Sequence, residues 1–308
     1  ANQIKPSPYL FIVKEIFNEG QIEGKIKVNF NTEGRIKDDY EIAGLISDFD
    51  AKILKKFNIN QSDLKFELLK NNYSFYVIKG NVNEIDLANS EFKIIRENKN
   101  LNIKGNLVSK ANLKNIQNTL DLFKINLLEG KVDQSEISFD LKSVLSFQLE
   151  KYIKVRNLKV NGDGIIHFLN IKHKIDTSGL KKIFINYNDS FQITDTKIKF
   201  LLDNNVNEVE LEGLVNLVNE YENFKSKVIV DKKKNNTIFD TEINIKSSII
   251  KLPSLNYGKK INDPANLRLK GNRKKNEGYN FEIVEFRESD NLILAKDIEF
   301  NEKLQVNN

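Results

Sequence analysis

Two histidines are the first residues to weigh as chemistry. His167 and His173 stand in IIHFLNIKHK and are the only histidines in the chain. Six positions apart on a strand, they share a face but lie about 20 Å from each other. A metal ion needs its ligands within one coordination sphere, so a straight strand cannot bring both to one ion. No HExxH, phosphate-binding GxxxxGK or nucleophile-elbow GxSxG motif occurs. Asn161-Gly-Asp-Gly164 has GxG spacing but lacks a third glycine and a following helical pattern. It predicts a hairpin turn ahead of Ile165–Leu169. Carboxylate pairs such as Asp38–Asp39 stand among turn formers, where Asp serves the backbone, and nothing selects two of them for glycoside hydrolysis. The chain has no Cys, which removes thiolate metal sites, disulfides and a cysteine nucleophile. We therefore expect a non-enzymatic protein with no cofactor and no metal.

Composition narrows the class further. The chain has 308 residues, 40% hydrophobic, 30% charged and only 9% aromatic. Its 48 basic and 43 acidic residues are interleaved, for a net charge of +5. The densest basic runs, Lys232–Lys234 and Arg273–Lys275, fall in Asn-rich stretches and predict solvated hairpin tips. They lack the interleaved stacking aromatics of a nucleic-acid surface, so no nucleic-acid partner is expected. There is no Met, and we expect a mature or excised segment of something longer. No run of about 18 apolar residues exists, so no helical membrane span is expected within it.

The elements that must position any site follow from period two. Lys25–Phe30 alternates, with Ile26, Val28 and Phe30 on one face. The same holds for Lys65–Leu68, Tyr73–Val77, Glu136–Leu141, Tyr152–Val155, Leu158–Val160, Ile183–Tyr187, Phe191–Ile193 and Lys197–Leu202. It continues through Glu208–Val215, Lys227–Val230, Glu242–Ile245, Asn266–Leu269, Tyr279–Val284 and Asp297–Phe300. Alternation with Asn, Asp and Gly between the runs predicts roughly fifteen to eighteen half-buried strands in antiparallel hairpins. Helical spacing is rare. Pro8–Glu19 predicts a helix stopped by Gly20, Ala51–Phe57 a turn or two, and Asn112–Phe123 a short helix.

The strands also repeat. Ser62-Asp-Leu-Lys-Phe leads to IKGNV, ending at Val82, and Ser90-Glu-Phe-Lys-Ile leads to IKGNL, ending at Leu107. A looser copy runs from Thr194-Asp-Thr-Lys-Ile to LEGLV at Leu211–Val215. Each unit pairs a strand opened by a small hydroxyl residue with a strand carrying a glycine. Gly44, Gly80, Gly105, Gly213 and Gly271 predict bends or bulges. Recurrence at this spacing predicts stacked units sharing one apolar face.

A long sheet must cover that face, and the helices are too few. It can fold back as a sandwich, close as a barrel, or curl into a trough filled by ligand. Absent Trp and seemingly short strands argue against a membrane barrel. The expected fold is mainly β: a long curved antiparallel sheet forming an open groove, built from repeated hairpins, with one or two short helices. Two segments are expected, residues 1–110 and 111–308, divided by the helix at Asn112–Phe123, with one continuous domain over 1–308 as the alternative. Parity assigns the lining to Ile26, Val28, Phe66, Phe75, Val77, Ile103, Ile137, Phe139, Ile185, Ile198, Phe200, Leu211, Val228, Ile243, Leu267 and Phe281. Such a groove suits acyl chains, at about 0.8 kcal/mol per buried CH₂.

NIKGNLV at Asn102–Val108, ELEGLVN at Glu210–Asn216 and the opening Pro8–Phe30 resemble the AsmA-like superfamily of bacterial envelope proteins, which includes the TamB and YhdP types. The likeness covers most of the chain as a pattern. It implies a periplasmic β-groove, an inner-membrane anchor outside this segment, and a role in guiding phospholipid between inner and outer membranes. It also implies an outer-membrane or envelope protein partner. Two other readings remain open: a closed sandwich or solenoid serving as a spacer or adhesin, and a piece of a lipopolysaccharide-handling bridge.

Overall fold

Alternating apolar and polar residues form strands because one pleated face can then be sheltered while the other meets water. A computed structural model describes residues 17–35, 37, 39–53, 57–97, 100–112, 136–150, 154–172, 190–216, 220–252, 255–274 and 277–301. All the regular elements among them are strands. In chain order they are β1 (Phe17–Lys27), β2 (Glu41–Ile53), β3 (Phe57–Leu69), β4 (Asn72–Val82), β5 (Ile85–Asp86), β6 (Glu91–Glu97), β7 (Asn100–Asn112), β8 (Glu136–Glu150) and β9 (Lys154–Lys172). There follow β10 (Ser190–Leu202), β11 (Val206–Asn216), β12 (Tyr221–Asp231), β13 (Asn236–Ile245), β14 (Ile250–Leu252), β15 (Tyr257–Lys259), β16 (Ala265–Lys274), β17 (Gly278–Glu288) and β18 (Asn291–Phe300).

Sixteen of these form one long antiparallel sheet, ordered β1-β2-β3-β4-β5-β7-β8-β9-β10-β11-β12-β13-β16-β17-β18, with β6 beside β5 in the lane between β4 and β7. Strands β14 and β15 form a separate pair. By contacts the chain divides into two units, residues 1–129 with 140–160, and residues 130–139 with 161–308.

Three expectations are corrected or displaced. Ala51–Ile53 are not a helical turn. They close β2 and pair with Phe57–Ile59 of β3, because a ladder supplies bonds that an isolated turn of seven residues cannot sustain. Phe17–Glu19, the end of the first expected helix, lie in β1, and residues 1–16 are outside the described residues. Asn112 ends β7, and residues 113–123 of the other expected helix are outside them too. The long strands run from 10 to 19 residues, so the argument from short strands against a barrel falls away. Among the described residues the sheet order is nonetheless linear, with β1 and β18 each hydrogen-bonded to one neighbour.

Bulges explain both the length and its concealment. In β3, Gln61 and Ser62 stand opposite the single Gly80 of β4. In β10, Asp195 and Thr196 stand opposite the single Gly213 of β11. Gln61 and Asp195 adopt φ of 47° and 45°, the left-handed conformation of the first bulge residue. The following hydroxyl is buried and donates to the carbonyl two residues back, Ser62 to Asn60 at 3.1 Å and Thr196 to Thr194 at 2.8 Å. The repeat is thereby re-registered: the counterpart of Ser62 is Thr196, two positions after the Thr194 that opens the motif. Ser90 differs again. Its Oγ bonds both the N–H and the C=O of Val108, at 2.9 and 3.2 Å. Gly271 flanks a third bulge, between β16 and β17. Gly44 and Gly105 are not bulges; they pair in regular register with Phe66 and Phe92.

The polar face carries its own order in the second unit. One row across the strands reads Lys197, Glu212, Lys225, Glu242, Arg268, Glu285. The next reads Lys199, Glu210, Lys227, Asp240, Lys270. Charge sign alternates at every step in both. Contacts include Lys225–Glu212 at 3.0 Å, Lys227–Glu210 at 2.9 Å, Lys227–Glu208, and Arg268 with Asp240 at 2.8 Å. Lysine hydrogen bonds hold Glu210 and Glu212 below the usual carboxylate range. Exposed and screened by solvent, each pair adds little to stability. Because each strand carries one sign in both rows, a two-residue slip would still set Glu210 against Lys225, so the rows match strand to strand and leave register to the hairpin turns and bulges.

Candidate functional site

The opposite face is apolar in both units. In the first, one row runs Ile26, Ile42, Leu68, Tyr73, Ile94, Ile103. Its neighbour runs Gly24, Gly44, Phe66, Phe75, Phe92, Gly105. Phe66 lies over the glycines of β1 and β2; a methyl on Gly44 would meet its ring at 2.9 Å. In the second unit three rows cross from β11 or β10 to β18. They are Gly213–Phe224–Ile243–Leu267–Phe286–Ile293, Ile198–Leu211–Ser226–Thr241–Leu269–Val284–Ala295, and Phe200–Val209–Val228–Phe239–Gly271–Phe281–Ile298. The hydroxyls of Ser226 and Thr241, polar residues on an apolar face, satisfy each other at 2.8 Å. Five or six strand spacings make such a row about 24–29 Å long.

The expected lining residues are thus placed. Ile26, Phe66, Phe75, Val77 and Ile103 share one face of the first unit, and Ile198, Phe200, Leu211, Val228, Ile243, Leu267 and Phe281 share one face of the second. Val28 lies beyond the end of β1, half-buried. Ile137 and Phe139 occupy alternate positions of β8, Phe139 buried. Ile185 is outside the described residues. His167 is exposed on β9 and His173 lies outside the described residues. No three metal-ligating side chains converge among the described residues.

Most of this face is half-buried rather than sealed. Phe66, Phe75, Ile103, Phe200, Val228, Phe239 and Phe281 all keep partial exposure, and Ile26 on β1 is 69% exposed. One end of the second unit differs. The connection from β13 to β16 folds over it. Ile250, Leu252 and Tyr257 of the β14–β15 pair pack against Ile243, Ile245, Ala265, Leu267, Phe286 and Ile293. Tyr257 meets Phe286 edge-on at 5.7 Å and donates its hydroxyl to Glu288. Burial first, then that bond, pushes the Tyr257 phenol well above its ordinary value.

Two buried charges hold this cap, neither visible in alternation. Glu222 is 4% exposed and Lys259 1%. Glu222 accepts the backbone N–H groups of Lys246, Ser247 and Ser248 at 2.9, 2.6 and 3.1 Å. Lys259 Nζ donates to the carbonyls of Lys246, Ser248 and Lys260 at 2.9, 2.8 and 2.9 Å. One turn gives its donors to the carboxylate and its acceptors to the ammonium. Burial pushes the Lys259 ammonium down, against the opposing fields of Glu222, Glu288 and Asp263. Truncating a partner strands buried polar groups at about 1–3 kcal/mol each. Glu222→Ala is therefore expected to speed hydrogen exchange at Ser247 and Ser248 by at least about tenfold, leaving the β12–β13 amides unchanged. Equal protection in both proteins would mean that Glu222 does not hold the cap.

The other end of the same face is lined by aromatic side chains. Phe281 meets Phe239 at 5.4 Å and Phe300 at 5.5 Å, both edge-on, and Tyr279 stacks beside it at 6.4 Å. No family model, curated protein or solved structure matches this chain.

Proposed function

We propose that the chain is a non-enzymatic, acyl-chain-binding segment of an AsmA-like envelope protein, working in the periplasm to guide phospholipid between inner and outer membranes. The observation carrying this is the pair of continuous apolar faces, half-exposed row after row, each backed by a charged face. A protein that only needed a dry core would cover such rows. Each methylene laid on one gains about 0.8 kcal/mol. The inner-membrane anchor and the envelope partner belong to the same reading, on the strength of the resemblance.

The test is native mass spectrometry of the purified chain, with solvent extraction of whatever is bound. Stoichiometric phospholipid is expected. A stable, lipid-free protein would overturn the reading in favour of an interaction module. The edge strand β18 favours that second reading, since it exposes Leu292 and Leu294 at 48% and 45% on a strand that has one ladder neighbour among the described residues.

A further inference from the structure

Building on the acyl-chain reading, we infer that the apolar face of the second unit takes an amphiphile whose phosphate headgroup carries a net negative charge, seated at Arg273, its tail directed toward the Glu222–Lys259 cap. Arg273 is a cation on the apolar face: it pairs with Thr237 on one side and Tyr279 on the other. Its guanidinium lies 5.5 Å above the Tyr279 ring, which presents its planar donors at the margin of the aromatic cluster.

The two basic runs converge there. The β12–β13 tip carries Lys232, Lys233 and Lys234, and Asn236 pairs with Lys274 at the base of the β16–β17 tip. Asp203, Asp231 and Glu277 at this end are engaged, the last two in part by Lys234 and Lys274 of the same runs. Asp203 accepts the N–H groups of Asn205 and Val206, Asp231 those of Lys233 and Lys234, and Glu277 pairs with Lys274 at 3.1 Å. Glu299 sits across β17 and β18 from Asn280, one position along from the Tyr279–Phe300 pair.

The far end has the opposite character. It is closed by the cap, where the buried carboxylate of Glu222 and the buried ammonium of Lys259 are both engaged by the 246–248 turn and Glu288 lies nearby. A hydrated head finds that end closed and lined by apolar side chains, which suit an alkyl tail. From Arg273 to Ala265 is eight residues of strand, about 27 Å, room for a fatty acyl chain. The cation at one end and the apolar closure at the other thus give the ligand one orientation.

The experiment offers the delipidated full chain equal amounts of phosphatidylglycerol and phosphatidylcholine with identical acyl chains in detergent, and counts bound lipid by native mass spectrometry. A preference of about tenfold for phosphatidylglycerol is expected, the scale of one charge-assisted hydrogen bond. Arg273→Gln brings the ratio close to one while total bound lipid holds. Replacing Lys232, Lys233 and Lys234 together by Ser, outside the packed sheet, lowers the preference at low salt by at least about threefold. Glycerol 3-phosphate, a head without a tail, does not displace the lipid; displacement would make this a free-phosphate site and overturn the inference. Equal uptake of both lipids by the native chain overturns it while leaving acyl-chain binding intact. A preference surviving both variants also overturns it. Uptake of neither lipid removes both readings together.

Discussion

Gly213→Ala is expected to destabilise the second unit by about 3 kcal/mol or more, the upper range for forced overpacking. The added methyl would lie 2.2 Å from Thr196 Oγ1, 2.5 Å from Thr196 Cα and 2.7 Å from its Cβ. The first of these atoms can rotate away; the backbone atom cannot without moving β10. Thr196 is itself locked, fully buried and bonded to Thr194. Gly258→Ala is the control, because a methyl there meets only the Ile250 carbonyl, at 3.9 Å. It should stay within about 0.5 kcal/mol of the parent. Urea denaturation of the three proteins decides the matter. Equal midpoints for Gly213→Ala and Gly258→Ala would show that the bulge yields freely, and that the glycine is not required by close approach.

The second large effect concerns cargo. Ile103→Asp places a carboxylate on the apolar face, directly across from Ile94. Lys104→Asp places the same carboxylate one residue away on the polar face, opposite Lys93. The first leaves a charge beside the bound acyl chain, and bound lipid should fall by more than about tenfold, the cost of a desolvated polar group. The second replaces a like-charge pair by an opposite one and should stabilise the sheet by about 0.2–1 kcal/mol with lipid content unchanged. Lipid lost equally from both folded variants, or from neither, would sink the acyl-chain reading of this face.

What the residues disclosed in advance follows the range of each interaction. Phe66, Phe75, Ile198, Phe200 and Leu211 could be assigned a face from local parity, because no bulge interrupts the alternation around them. Strand extents were cut short where Asp48, Gln61 and Asp195 break period two, and a left-handed φ at a non-glycine residue leaves no local signature. Ala51–Ile53 read as helix because their pairing with Phe57–Ile59 lies outside so short a window. Gly44 and Gly105 looked like Gly80 and Gly213, since a covering aromatic ring and an opposing bulge both call for a missing side chain. Glu222 and Lys259 stood among many exposed charges of the same types, and only the fold of the turn at 246–248 marks them out. The charge rows are likewise written in plain residues, yet Glu242 and Arg268 become neighbours only once β13 and β16 are known to pair.

The alternating charge rows restrict how such a sheet can change its length through descent. Removing or inserting one strand within β10–β17 would set lysine against lysine and glutamate against glutamate along both rows, besides reversing chain direction. Removing or inserting two neighbouring strands restores both. The hairpin is therefore the smallest heritable increment, and duplication of whole hairpins lengthens the sheet without any compensating substitution at the new junctions. Relatives of this chain should accordingly differ by even numbers of strands in this region, each gain arriving with the two row charges of each of its strands already in place.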